Sequence, residues 1–266
     1  MAPINATSPI PTLPPITVHL HSCPGTTLFS THVPVPTDYL AETCDKVVSL
    51  LYASPWVPPP LSSISLHVRP LDGVAHTVHS HTTCTDGVAA TGITAEIHLS
   101  ATYLAKFHAR NPGGLQHEIH GVLMHEMTHV WQCYLGQRAP HWIVEGVADY
   151  IRLRVGLAAE HWRKGVGGNW EDGYQTTGFF LDWIEESWSG FVVELTKDPC
   201  VERVEKTTGF AIEKLWESYQ KALARMNEQK GSTPHPTHAV APSKPTPAVE
   251  PFTKDPLNES LSEGQQ

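Results

Sequence analysis

A chain of 266 residues, 40% of them hydrophobic, is long enough to form one domain with a substantial core. Its formal net charge of −9 at pH 7 argues against nucleic acid as a partner, because nucleic-acid interfaces are strongly basic. No apolar run approaches the ~18 residues that a membrane-spanning helix requires, so we expect no membrane partner either.

The two ends of the chain differ in composition from its middle. Residues 1–15 are rich in proline, and residues 231–266 are rich in proline, threonine and serine. Proline-rich segments are typically extended or disordered, and the C-terminal segment also has few apolar side chains to bury. We therefore expect one folded domain over residues 16–230, between two disordered ends.

Three segments before residue 100 alternate apolar and polar residues, which is typical of strands with one buried face. They are residues 16–20 (ITVHL), 64–69 (ISLHVR) and 93–99 (ITAEIHL). An amphipathic helix is expected between the first two strands, beginning at Thr37 or Asp38 and ending before Pro55.

A fourth strand is expected near residues 75–83, which contain three histidines. His76, His79 and His81 could together bind a metal ion, but an exposed strand or loop explains them equally well. The pattern therefore predicts a strand and leaves the function of its histidines open.

The sequence HEMTH at residues 125–129 places two histidines four residues apart. On an α-helix such residues lie above one another on one face, so the imidazoles of His125 and His129 can bind one ion. Glu126 projects beside the first histidine, where its carboxylate can accept a proton from an activated water molecule. The pattern predicts a zinc site on this helix. His117 and His120 lack the spacing and are not expected to be ligands.

A second helix is predicted from Pro140 to about Gly156, after a helix stop at Gly136. Its residues Glu145 and Asp149 are four apart and therefore share one face. Carboxylates on an otherwise apolar face need a partner, which the zinc ion and its histidines would supply. Helical spacing alone does not decide which of the two is the third ligand.

The remainder of the chain is expected to be mainly helical. A loop rich in glycine and tryptophan covers residues 165–173, and a helix follows from Tyr174 to Ser187. Apolar residues at helical spacing indicate a last helix: Ile212, Leu215, Trp216, Tyr219, Leu223 and Met226. We predict an α+β fold, in which a small mixed or antiparallel N-terminal sheet packs on the HExxH helix before a mainly helical C-terminal part.

Three blocks, HEMTHVWQ, PHWIVEGVADYIR and DGYQTTGFFLDWIE, resemble the plant basic secretory protein family, a group of peptidases of plants, bacteria and fungi. The resemblance implies a zincin fold of the gluzincin kind, with His125 and His129 as zinc ligands and Glu126 as general base. The block WIVEG is also similar to the WLNEG segment of zinc aminopeptidases. That similarity implies Glu145 as the third ligand, with Asp149 accepting a hydrogen bond from one of the histidines.

The resemblance also suggests how a substrate would bind. In zincins the strand before the HExxH helix borders the cleft and pairs with an extended peptide, which implies residues 93–99 as the cleft-edge strand. Tyr174 lies at the DGY position that the family marks. We nominate it to donate a hydrogen bond to the oxyanion formed during hydrolysis, the alternative being a tyrosine that only packs at a helix start.

The resulting hypothesis is a monomeric, zinc-dependent endopeptidase that acts on a peptide or protein substrate. A zinc-stabilised binding or defence protein of the same fold is the alternative, although the presence of Glu126 favours an enzyme. An aminopeptidase would need an acidic anchor for the substrate amine, and no GxMEN-like motif is present.

Localisation is the point at which the chain departs from the family pattern. Family members are named for basic charge and secretion, whereas this chain is acidic and its first twenty residues lack the regions of a signal peptide. Its five scattered cysteines fit free thiols in a reducing compartment better than a disulfide framework. A cytoplasmic location is therefore favoured, with secretion as the alternative that the resemblance suggests.

Overall fold

The computed structural model describes residues 13–52, 57–82, 92–132 and 139–231. The predictions of a disordered tail after Gly231 and of a helix stop at Gly136 lie outside those ranges, as does nearly all of the N-terminal segment.

The described strands form one mixed four-stranded sheet, in the order β1-β2-β4-β3. Its strands are β1 (Ile16–Leu20), β2 (Leu61–Arg69), β3 (Ala75–Thr82) and β4 (Gly92–Ser100). β1 and β2 are parallel, as are β2 and β4, whereas β3 runs antiparallel to β4. Every strand expected from the sequence is present, and the α+β class is confirmed.

Four helices of the N-terminal half follow or cover this sheet: α1 (Pro24–His32), α2 (Pro36–Leu51), α3 (Ala101–Arg110) and α4 (Leu115–Trp131). α2 is the amphipathic helix that the sequence predicts. It begins with a proline in its first turn, where no helical hydrogen bond is lost, and it buries Leu40, Val47 and Leu51. α1 and α3 were not predicted; they are short helices of nine and ten residues.

The C-terminal half is helical, as expected. It contains α5 (His141–Arg154), a short 3-10 turn (Trp170–Asp172), α6 (Tyr174–Ser187), α7 (Phe191–Lys197), α8 (Val201–Thr208) and α9 (Ile212–Gly231). None of the described helices is both long enough and apolar enough to cross a membrane.

The sequence-based choice of the cleft-edge strand is wrong. β4, which contains residues 93–99, lies inside the sheet with β2 on one side and β3 on the other. Its backbone groups are therefore already paired and cannot bind a peptide. β1 and β3 are the two edge strands among those described, and β3 is the one that packs against α4. Alternating hydrophobicity identifies a half-buried strand but does not reveal its position in the sheet, which depends on long-range pairing.

α5 and α6 approach closely because glycines face the contact. A Cβ atom on Gly146 of α5 would lie 2.7 Å from Cβ of the buried Thr177 in α6. A Cβ atom on Gly178 of α6 would lie 3.1 Å from Cβ of Asp149. The small residues thus set the position of the α5 face that carries Glu145 and Asp149.

Gly146→Ala should lower the free energy of unfolding by up to about 2 kcal/mol, because overpacking costs ~1–3 kcal/mol and the gain in helix propensity offsets only about 1 kcal/mol of it. Denaturant unfolding would measure the loss. Gly165→Ala is the matched control, since its Cβ atom would meet nothing within 4 Å. Equal stability of the two variants would contradict the close packing.

Candidate metal centre

The HExxH segment lies in the last two turns of α4, most of whose residues are buried. Ile119, Leu123, Met127 and Val130 are fully buried on its core side, as their spacing predicts. The imidazoles of His125 and His129 lie on the opposite side and face α5. Helical geometry and core packing therefore fix both imidazoles before any ligand is bound.

Three ligand atoms converge between α4 and α5. Nε2 of His125 and Nε2 of His129 are 3.0 Å apart, and Oε2 of Glu145 lies 3.2 Å from the first and 3.5 Å from the second. Tetrahedral zinc with bonds of about 2.0–2.1 Å requires ligand atoms ~3.3–3.4 Å apart. The three atoms thus lie near three corners of one tetrahedron.

The outer nitrogens of both rings are held by separate partners. Nδ1 of His125 is 2.7 Å from Oδ1 of Asp149, and Nδ1 of His129 is 2.8 Å from Oε1 of Gln132. The amide of Gln132 is oriented in turn, because its Nε2 donates to the carbonyl of Val144 at 3.2 Å. Both acceptors require a proton on Nδ1, so in the neutral rings the Nε2 lone pairs face each other. A cation between them would remove that repulsion.

The electrostatics of the cluster also favour a positive charge. Burial alone would lower the pKa of His125, but its contacts with Asp149 and Glu145 outweigh burial and raise the pKa to about 9. For Glu145, burial works to raise the pKa, whereas both histidines lower it strongly, and the carboxyl remains ionised. The carboxylates around His125 therefore attract positive charge, which a proton or a metal ion can supply.

Glu126 is buried beside this cluster but takes no part in it. Its Oε2 accepts a hydrogen bond of 2.7 Å from the hydroxyl of Thr77 in β3. β3 is anchored to α4 a second time by His79, whose Nε2 lies 3.1 Å from the carbonyl of Val130. The edge strand thus orients the carboxylate that the sequence nominates as general base.

Tyr174 is the first residue of α6 and lies at the mouth of the cleft. Tyr174 has a φ of 45°, and among the described residues it is the one non-glycine residue with a positive φ. Its ring stacks against that of His125 at a centroid distance of 6.4 Å. Burial, and then Glu145, Asp149 and Glu126, raise the pKa of its hydroxyl, which therefore remains a donor. Such a strained backbone persists only where the surroundings impose it.

Gly173, which precedes Tyr174, makes the turn into α6 possible. Its φ of 74° and ψ of −167° lie in a region that is essentially restricted to glycine. The neighbouring Asp172 accepts a hydrogen bond of 2.8 Å from the backbone of Asn169 and stabilises the preceding turn. The block DGY is thus a structural unit that presents the tyrosine ring to His125.

The site opens into a cleft of about 950 Å³ between β3, α4, α5 and the start of α6. At one end the cleft is closed by Arg152 of α5, whose Nη2 bonds Oε2 of Glu118 at 2.8 Å. The hydroxyl of Tyr103 donates to the other oxygen of Glu118 at 2.8 Å. This buried ion pair joins α5 to α4 beside the metal site.

The structure brings together every nominated site residue: His125, Glu126, His129, Glu145, Asp149 and Tyr174. The contacts of Glu145 and Asp149 also differ, since only the Glu145 carboxylate reaches the Nε2 atoms of both histidines. Sequence reasoning missed Gln132 and Thr77. Gln132 could have been found, because it lies one helical turn after His129; nothing in the local sequence marks Thr77.

His117 and His120 have partners of their own, in line with the expectation that they are not ligands. His117 bonds the carbonyl of Ala158 at 2.8 Å, and His120 stacks on Tyr39. The ring of His76 stacks on that of His98, and the side chain of His81 lies outside the described residues. Within the described ranges, one group of three or more histidine, cysteine, aspartate or glutamate side chains could hold a metal ion. It consists of His125, His129 and Glu145.

The fold and the site define an α+β protein in which two helices bring together two histidines and a carboxylate that could hold a metal ion, next to the separate carboxylate of Glu126. Sequence comparison then gives the particular family. The chain belongs to the basic secretory protein family, whose model, described as a peptidase of plants and bacteria, matches residues 16–219. It is therefore a member of a peptidase family. Searches of curated proteins and of solved structures found no significant match to this chain.

Metal binding should distinguish the two carboxylates of α5. Glu145→Ala removes a donor that faces both Nε2 atoms, so we expect the site to lose its metal. Asp149→Asn removes only a partner of Nδ1 and should weaken affinity about 10–100-fold while retaining the site. Titration of the purified variants with zinc, followed by calorimetry, would measure both affinities. A larger loss in Asp149→Asn than in Glu145→Ala would reverse the assignment.

Proposed function

We propose that this protein is a zinc-dependent endopeptidase with a zincin-like catalytic domain of the gluzincin kind. The observation that carries the proposal is the placement of three donor atoms near tetrahedral corners, with the separate carboxylate of Glu126 beside them. A structural zinc site is usually closed by four protein ligands, whereas a catalytic one has three and keeps a position for water.

The donor set fits zinc. Two imidazole nitrogens and one carboxylate oxygen are ligands that zinc accepts, and Asp149 and Gln132 fix the ring nitrogens that would face the ion. A bound zinc ion would lower the pKa of a coordinated water toward ~7 and polarise the scissile carbonyl. His125, His129 and Glu145 would hold the ion, which is the cofactor that we propose.

Glu126 would act as the general base and then as the general acid. Its carboxylate lines the cleft, and it would take the proton from the nucleophilic water. The same proton would then pass to the leaving amine. The hydrogen bond from Thr77 holds Oε2, so Oε1 is the oxygen that we expect to accept the proton.

Tyr174 would stabilise the transition state. Its hydroxyl stays protonated, its ring is parallel to that of His125, and half of its surface is exposed toward the cleft mouth. A donor at this position can bond the oxyanion as the carbonyl carbon becomes tetrahedral. The positive φ of Tyr174 supports a role that depends on accurate positioning rather than on packing alone.

The substrate would be a peptide or protein segment in extended form. Among the described strands, β3 has β4 as its one neighbour, and it borders the cleft, so a peptide would pair with it along its other edge. Side chains at alternate positions of β3 point toward the site, as Thr77 and His79 do. An open cleft bordered by such a strand favours cleavage within a chain, which is why we propose an endopeptidase.

A zinc-stabilised binding or defence protein without turnover is the second candidate. Such a protein would need the metal ligands, but it would not require the buried Glu126 carboxylate that Thr77 orients, or the strained backbone of Tyr174. Both features favour the enzyme. We also propose that the enzyme acts as a monomer, as inferred from the sequence.

Glu126→Gln should retain zinc and the melting temperature of the wild type but lose peptide hydrolysis by a factor of about 10² or more, because it keeps the shape and removes the base. Cleavage of a casein substrate and the zinc content per chain would be measured on the same preparation. Glu217→Gln, on the exposed face of α9, is the control and should cleave normally. Near wild-type cleavage by Glu126→Gln would refute the mechanism.

Tyr174→Phe should reduce kcat about 10–100-fold with little change in KM, because an oxyanion donor acts mainly in the transition state. Tyr219→Phe, which removes a hydroxyl from the core side of α9, serves as the control. Steady-state kinetics on a fluorogenic peptide would separate the two constants. An unchanged kcat in Tyr174→Phe would leave the tyrosine with a packing role only.

A further inference from the structure

A row of histidines crosses the whole sheet on the face opposite the core. His19 in β1, His67 in β2, His98 in β4 and His76 in β3 are direct register partners, one on each strand. Their rings stack in that order, with centroids 4.5 Å, 5.0 Å and 4.8 Å apart. We call these four side chains the histidine ladder. No step of the proposed reaction uses them.

The charged groups beside His98 define the form of its neutral ring. Arg69, on the same face of β2, donates from Nε to Nδ1 of His98 at 3.3 Å, so that nitrogen must carry a lone pair. Nε2 of His98 is 3.4 Å from Oε2 of Glu96, and Nε2 of His67 is 4.0 Å from the same oxygen. His98 therefore has a defined neutral form, which accepts from Arg69 and donates to Glu96.

Protonation of the ladder would place several positive charges in contact. Glu96 is the one acidic group that faces the row among the described residues, while Arg69 and His21 add to the positive side. A first imidazolium could pair with Glu96, but each further one would face another cation across about 5 Å. Like charges on directly opposed strand positions weaken the pairing of those strands.

The two central rings already resist protonation. Burial, followed by the charge of His19, lowers the pKa of His67, and burial, followed by the charge of His76, lowers that of His98. A histidine with a lowered pKa in the folded state binds protons more readily when unfolded. The ladder therefore costs no stability above pH ~6.5, the ordinary pKa of histidine, and destabilises the sheet progressively as the pH falls below that value.

The ladder ends on the strand that orients the general base. His76 and Thr77 are adjacent in β3 and point to opposite faces, the first into the ladder and the second to Glu126. Repulsion at His76 acts on the edge strand, which has only β4 as a strand neighbour. We propose that the ladder is an acid-sensitive device that keeps β3 paired when its imidazoles are neutral and loosens β3, and with it Thr77, when they are protonated.

The loosening of β3 is independent of the proposed enzymatic function, whereas its effect on catalysis rests on that function. The direct readout is amide hydrogen exchange of β3 in the zinc-loaded protein, corrected for the intrinsic pH dependence of exchange and compared with α9 as an internal reference. Protection of β3 relative to α9 should fall about tenfold or more between pH 7.5 and pH 5.5. Zinc content would be measured at each pH, so that loss of metal is not mistaken for loosening.

The double variant His67→Gln/His98→Gln should remove most of that pH dependence, because its two central positions cannot become charged. The control His32→Gln/His108→Gln also removes two histidines, but from α1 and α3, and it should behave as the wild type. Equal pH dependence of β3 protection in the ladder variant and the wild type would overturn the proposal.

A measurement on the wild type keeps the proposal testable if the ladder variant fails to fold. The ring signals of His67 and His98, followed by nuclear magnetic resonance, should titrate below pH 6.5 and together with the amide signals of β3. Titration of these rings at or above pH 6.5, or without any change in β3, would overturn the proposal. Unchanged peptide hydrolysis despite loosened β3 would instead refute the role of Thr77 in the proposed function.

Discussion

The geometry of the site depends on the contact between α4 and α5. α4 supplies two imidazoles at a spacing fixed by the helix, but the third donor atom and the partner of His125 both come from α5. Two features hold the helices in register. The buried pair of Arg152 and Glu118 joins them beside the cleft, and Gly121 provides space for the guanidinium, because a Cβ atom there would collide with it. On the other side of α5, Gly146 and Gly178 allow α6 to approach and place Tyr174 at the same site.

The edge strand links this helical centre to the sheet. Thr77 and His79 contact α4 from one face of β3, while His76 contributes to the histidine ladder on the other. Successive side chains of a strand point to opposite faces, so a single element connects Glu126 to a row of titratable groups. The proposed response to acid would therefore reach Glu126 through β3.

The sequence predicted best what depends on local spacing. His125 and His129 follow from helical periodicity, and the strand alternation in β1, β2 and β4 follows from one buried face. Glu145 and Asp149 could be placed on one face of α5, but the choice between them required the position of α5 relative to α4. The position of β3 at the sheet edge was missed for the same reason, and with it Thr77, which lies 49 residues from Glu126 in the chain. The histidine ladder also depends on register between strands that are distant in sequence, which no local pattern encodes.

The central claim is a zinc ion held by two histidines and a carboxylate, and X-ray absorption at the zinc edge of the purified protein tests it most directly. The structure predicts a first shell of nitrogen and oxygen atoms only, at about 2.0–2.2 Å, with the outer-shell pattern of two imidazole rings. A sulfur atom at about 2.3 Å, or a spectrum with fewer than two imidazoles, would contradict the account.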